Sequence, residues 1–218
     1  MDSGARRRIR IWDAPTRLFH WSLVGLIAAA WWTAEEEMLE WHQRIGLTIL
    51  ILIVFRLIWG LIGGSTARFS GFVRGPRAIA AYLRGRAPHA IGHNPLGALS
   101  VLALLFMVAA VTALGLFTED EDGIAPGPLA YRVSADVSET AHEWHEQGFD
   151  LLLVLVGLHV AAILYYALFR RDNLVGPMIS GSRAMPEGTE GMRPAPAWRA
   201  LLALILAIGV GWWVWSGA

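Results

Sequence analysis

Apolar positions gather into five long runs, residues 18–34, 45–62, 96–117, about 149–169 and 200–215, with polar segments between them. A bilayer core of about 30 Å takes roughly 20 apolar residues in helical form. The first four runs approach or meet that length, and the fifth is shorter. No run alternates with a period of two, so the pattern predicts helices rather than strands. Asn94-Pro95 before the third run is a helix-start pair. Residues 76–83, with arginines at each end, predict a short interfacial helix, and Gly and Pro at 123–128 predict a loop. The expected fold is an all-α integral membrane protein, a four-helix transmembrane bundle with a fifth helix at the C-terminal side. Residues 1–181 form the bundle domain, and 182–218 a linker with the extra transmembrane helix.

Charge gives that bundle a direction. The chain is 55% hydrophobic over 218 residues and formally neutral, and all 18 basic residues are arginines. Arginines crowd residues 1–17, 63–94 and 170–199, whereas acids crowd 35–40 and 118–146. The positive-inside rule then places the N-terminus and the arginine-rich segments in the cytoplasm. Five spans put the C-terminus on the outer side. A basic start before an apolar run also fits a signal peptide, but Arg17 and His20 interrupt the run and acids follow it, so it reads as a retained helix. Without cysteine there are no disulfides, no thiolate clusters and no thioether-linked haem. Membrane lipid is an implied partner, and nothing in the pattern calls for nucleic acid.

Within the fourth run, His145 and His159 stand 14 residues apart. That spacing puts both rings within about 40° of one helix face and about 21 Å apart along it. One histidine on an apolar face is commonly a packed core residue. Two on one face, at nearly membrane-spanning separation, suggest a buried ligand near each surface. With the topology above, His42 shares the outer depth of His145, and His20 the inner depth of His159. Each pair can offer two axial imidazoles to a haem iron in a bundle interior. His142 competes with His145 but lies about 100° from the face of His159. His93 is left as an interfacial histidine, and His89 as loop. Arg56 lies 14 residues after His42 at inner depth. It either snorkels to the cytoplasmic surface or points inward at a carboxylate such as an inner haem propionate, helped by Arg17.

Five segments carry a resemblance: WDAPTRLFHW (12–21), FRLIWGLIGGSTARFSGFVRGP (55–76), GHNPLG (92–97), HEQGFDLLLVLVGLH (145–159) and RDNLVGPMISG (171–181). Together they resemble the bacterial cytochrome b561 family, which includes the b-type cytochrome subunit of nickel–iron hydrogenases. The resemblance implies four helices, two haem b groups and bis-histidine ligation, and it falls on His20, His42, His145 and His159. Residues 182–218 depart from the four-helix pattern. The expected function is electron transfer between the quinone pool of a respiratory chain and a periplasmic partner, such as a cytochrome c or a hydrogenase. A histidine-based metal transporter or a non-redox anchor subunit are the other classes considered. The first would group its ligands at one depth, and the second would not need four depth-matched histidines.

Overall fold

A computed structural model describes residues 6–86, 91–119 and 126–217. Helix α1 (Ala14–Glu35) starts at Asp13, whose carboxylate accepts from the Thr16 N–H at 2.8 Å, and a proline occupies its first turn. A three-residue turn, with Glu37 in the left-handed region, reverses the chain into α2 (Leu39–Ile62). Two short helices follow, α3 (Phe69–Phe72) and α4 (Pro76–Leu83), the latter with the predicted bounds. Asn94 caps α5 (Pro95–Gly115), its side-chain oxygen accepting from Gly97 N–H at 2.7 Å. After a 3-10 turn at Ala130–Arg132 come α6 (Ala135–Leu168), α7 (Val175–Ser180) and α8 (Ala197–Trp215).

Among the described residues, four helices are long and apolar enough to cross a membrane: α2, α5, α6 and α8. The C-terminal helix is therefore in the set, whereas α1 is not. Arg17, His20, Ser22 and Thr33 dilute its apolar surface. It nevertheless packs antiparallel along α2. Its Phe19, Leu23, Leu26 and Ile27 join a core built on Ile49, Ile53, Leu105, Val108 and Leu152. A second core forms where α8 lies on α2 and contains Phe55, Trp59, Ala203 and Ala207, both alanines at 0% exposure. Small residues let two helix backbones approach closely.

Two features depart from the sequence pattern. Helix α6 begins at Ala135, some four turns before its apolar run, because residues 135–150 are amphipathic rather than irregular. Ser138, Ala141, Gly148 and Leu152 face inward, while Asp136, Glu139, Glu143, Glu146 and Asp150 form an exposed acidic stripe opposite. The second feature is a two-stranded antiparallel sheet, β1 (Arg6–Arg10) with β2 (Ser182–Pro186), pairing Arg10 with Ser182 and Arg6 with Pro186. The expectation for His89, and those for residues 120–125 in the acidic and Gly/Pro-rich segment, lie outside the described residues.

Candidate functional site

The bundle has an acidic end, with the α1–α2 turn and the segment before α6, and a basic end, with the sheet, α3, α4 and α7. His42 and His145 meet at the acidic end. Their ring centroids are 6.0 Å apart and their planes nearly perpendicular, at 84°. Each ring is fixed from behind by the backbone of a neighbouring helix. His42 Nδ1 lies 2.9 Å from the Ala30 carbonyl of α1, and His145 Nδ1 lies 2.9 Å from the Val111 carbonyl of α5. A carbonyl only accepts, so each ring carries its proton on Nδ1 and keeps a bare lone pair on Nε2. That is the tautomer a metal-ligating imidazole needs. Gly115 makes room for the His145 ring: a Cβ there would stand 2.9 Å from His145 Cε1. His142, the competing histidine, faces Glu146 at 3.6 Å on the surface of α6.

At the basic end His20 and His159 are near enough for their charges to act on each other. Their surroundings differ from those at the acidic end. His159 Nδ1 has Ser100 Oγ at 3.5 Å, long for a hydrogen bond. His20 Nδ1 is buried with no partner. Among the described residues, buried polar side-chain atoms without a partner are Thr16 Oγ1, Arg17 Nε, His20 Nδ1, Arg56 Nη1 and His93 Nδ1, all at this end. Buried polar groups are normally satisfied, so this cluster points to a polar occupant.

Arg56 is 3% exposed, so it points into the protein rather than snorkelling. It forms none of the ion pairs found among the described residues, and its guanidinium lies 4.8 Å from the centre of the Phe69 ring. The carboxylate whose charge reaches it is Asp13. Sequence reasoning missed this acid because it looked for one inside the apolar runs. Asp13 sits just before the first run, buried, and accepts from Trp59 Nε1 at 3.2 Å. Its signal was the Asp-x-Pro start of α1. Arg17 donates through Nη1 to the Ile179 carbonyl in α7, leaving its Nε unpartnered. His93 lies between Trp12 and Phe72, with ring centroids at 4.6 and 4.8 Å. Burial pushes its imidazole down to about 4, helped by the positive charge of Arg56. Near it, Tyr82 of α4 and Tyr166 of α6 share a hydrogen bond, and Asn94 donates to the Tyr166 hydroxyl at 3.0 Å.

Among the described residues no three histidines or acids converge as a metal site. The histidines come as two pairs, which suits a metal that brings its other ligands with it. Residues 11–181 match the prokaryotic cytochrome b561 family. Curated relatives include a probable Ni/Fe-hydrogenase B-type cytochrome subunit of Azotobacter chroococcum mcd 1, 26% identical over 80% of this chain and 88% of the relative. A probable Ni/Fe-hydrogenase 1 B-type cytochrome subunit of Escherichia coli (strain K12) is 24% identical over 80% of this chain and 90% of its own length. One of Rhizobium leguminosarum bv. viciae is 23% identical over 82% and 90%. No solved structure matched.

Proposed function

This chain belongs to the prokaryotic cytochrome b561 family, a family of haem b membrane electron carriers, and from that premise we propose a di-haem reading of its four paired histidines. His42 with His145 hold one haem b, and His20 with His159 hold the other. Arg56, with Arg17, faces the propionates of the second. The observation that carries this reading is the pair of rings at the acidic end, each with Nδ1 tied to a backbone carbonyl. The two rings stand 6.0 Å apart, centre to centre, at one level of the bundle. The unpartnered Arg56 Nη1 fits a carboxylate, since guanidinium binds one in a fork.

When bound, each haem supplies a one-electron couple; the protein's own groups do the rest. The Ala30 and Val111 carbonyls hold the outer imidazoles in the ligating tautomer. Ile49, Ile53, Leu105, Val108 and Leu152 keep water out of the space between the levels. The 14 residues between His145 and His159 set a rise of about 21 Å, so the two sites lie near opposite membrane surfaces. The chain exchanges electrons between the quinone pool and a periplasmic redox protein. A hydrogenase is favoured by the names of the relatives, and a basic cytochrome c is the other candidate.

The fold supports five spans with the N-terminus inside. Strand β1 pairs with β2, so residues 10 and 182 share one side of the membrane. Between them lie α2, α5 and α6 as candidate spans. Three crossings would leave the strands on opposite sides, so α1 is the fourth. Helix α8 then leads outward.

Haem stoichiometry tests the reading. Purified protein is expected to give two b haems per chain by pyridine haemochrome assay, and His145→Ala one. A single haem in the wild-type chain, or two in His145→Ala, overturns it.

A further inference from the structure

Strands β1 and β2 lie on the inner side in the orientation proposed above. Resting on that reading, we infer that the outward face of their sheet is a docking surface for the phosphate headgroups of anionic phospholipids. Arg6, Arg8 and Arg10 hold them.

Side chains alternate across a strand, so Arg6, Arg8 and Arg10 share one face of β1, and Arg7 and Ile9 the other. The register puts Pro186, Ala184 and Ser182 beside the three arginines, and Met185 and Arg183 beside Arg7 and Ile9. Burial tells the two faces apart. The three arginines are exposed together with Ala184 and Pro186, whereas Ile9, Arg183 and Met185 are half-buried.

The outward face is therefore a row of three guanidiniums about 7 Å apart, with no acid across the strands to offset them. Opposite charges across strands stabilise a sheet, and like charges weaken it. Among the described residues the ion pairs are Arg44–Glu40, His142–Glu146, Arg183–Asp172 and Arg193–Glu190. None takes Arg6, Arg8 or Arg10, nor Glu187, the exposed acid that follows β2. Such a row calls for anions, and a phosphate accepts two parallel bonds from one guanidinium.

The place where the sheet is held decides the source of the phosphate. Only Ile11, Trp12 and Asp13, all buried, separate Arg10 from α1. On the other strand α7 ends at Ser180, and Gly181, with φ 78°, turns the chain directly into β2. Helix α7 is pinned to the start of α1, its Ile179 and Met178 carbonyls accepting from Arg17 Nη1 and Trp21 Nε1. It exposes Val175 and Ile179. Apolar side chains exposed beside the end of a span belong at the boundary between acyl chains and headgroups. Both strands thus rise from the membrane surface, with Arg10 at the base of the row and Arg6 at its tip. An anionic leaflet attracts cations within a screening length of about 8 Å, so it favours the base. A soluble anion or an acidic protein has no reason to.

Native mass spectrometry of the purified holoprotein in neutral detergent, titrated with short-chain phosphatidylglycerol or phosphatidylcholine, tests this. Phosphatidylglycerol is expected to bind the tighter. Arg10→Gln should weaken it about fivefold, the loss expected for one arginine close to an anionic surface. Arg8→Gln should weaken it less and Arg6→Gln least, with phosphatidylcholine binding and haem content unchanged. Arg7→Gln removes the same charge from the other face and should leave the affinity as it is. Equal losses in Arg7→Gln and Arg10→Gln would reduce the effect to net charge and overturn the site. An unchanged affinity in the Arg6→Gln, Arg8→Gln, Arg10→Gln triple variant would do the same. A loss greatest in Arg6→Gln, or full competition by inorganic phosphate, would overturn lipid as the occupant in favour of a soluble anion or an acidic protein. A micelle has no sides, so these outcomes stand apart from the topology. A periplasmic signal from a reporter after Glu187 would overturn the orientation instead.

Discussion

At Gly115 the chain has no room for a side chain. The His145 ring occupies the place a methyl group would take, and overpacking of this kind costs about 1–3 kcal/mol. On the di-haem reading, Gly115→Val should therefore turn His145 off its Val111 carbonyl and lose about half the bound haem, read by haemochrome assay. Retention of both haems would mean that α5 can yield. His93 gives a prediction of another kind. Folded, it stays neutral down to about pH 4, held there by burial and by Arg56 of α2, with His159 of α6 and His20 of α1 adding to the effect. Unfolded, it takes its proton near 6.5. The unfolded chain thus binds more protons between those values, and stability falls as pH drops from about 6.5 to 4. Thermal unfolding at stepped pH should show a shallower fall for His93→Gln than for the wild-type protein. Parallel curves would remove His93 as a cause. At this scale the pairing of the histidines was legible because 14 residues on a helix fix both angle and rise. The orphaned atoms were not, since a missing hydrogen-bond partner leaves no mark in sequence.

Helix α8 touches α2 through Ala203, Ala207 and Gly211, and a Cβ on Gly211 would stand 2.5 Å from Ile51 Cγ1. Gly211→Leu should cost about 1–3 kcal/mol by overpacking, seen as easier denaturant unfolding in detergent. An unchanged transition would show that α8 can leave α2 without loss. The apolar runs announced α5 and α8 to within a few residues, and α2 except for its first six, because lipid demands unbroken apolar length. They failed at α6, whose first four turns carry Asp136, Glu139, Glu143 and Glu146. A helix that rises out of the membrane obeys the amphipathic period of a surface helix, and Ser138, Ala141 and Gly148 are too small to mark its buried face as apolar. The sheet was illegible for another reason: each strand is five residues of arginine-rich or small-residue chain, and only its distant partner makes it a strand.

Across the whole molecule the charges divide between the two ends. A reporter fused after Gly217 should behave as periplasmic, and one placed after Glu187 as cytoplasmic. A cytoplasmic reading at Gly217 would lay α8 along the membrane. The acidic end holds exposed Glu35, Glu36, Glu37 and Glu40 together with the α6 stripe. Such a surface steers a positively charged partner, and added salt weakens steering with a screening length near 8 Å at physiological ionic strength. Electron transfer to a basic cytochrome c should slow as salt rises, and Glu36→Gln with Glu37→Gln should flatten that dependence. A rate blind to salt would mean docking by apolar contact instead.

The pairing of β1 with β2 joins segments about 170 residues apart in the chain. Synthesis at about 5–20 residues per second separates the emergence of the two strands by roughly 10–35 seconds. During that interval the N-terminal strand has no partner, and α1, which follows it, is held by its packing against the helices of the core. The sheet closes as a clasp only once α6 has been made, and α6 carries the last two of the four paired histidines. Synthesis thus makes all four paired histidines before it makes the strand that completes the clasp. On the di-haem reading, the two strands pair only after every histidine that would hold either group has left the ribosome.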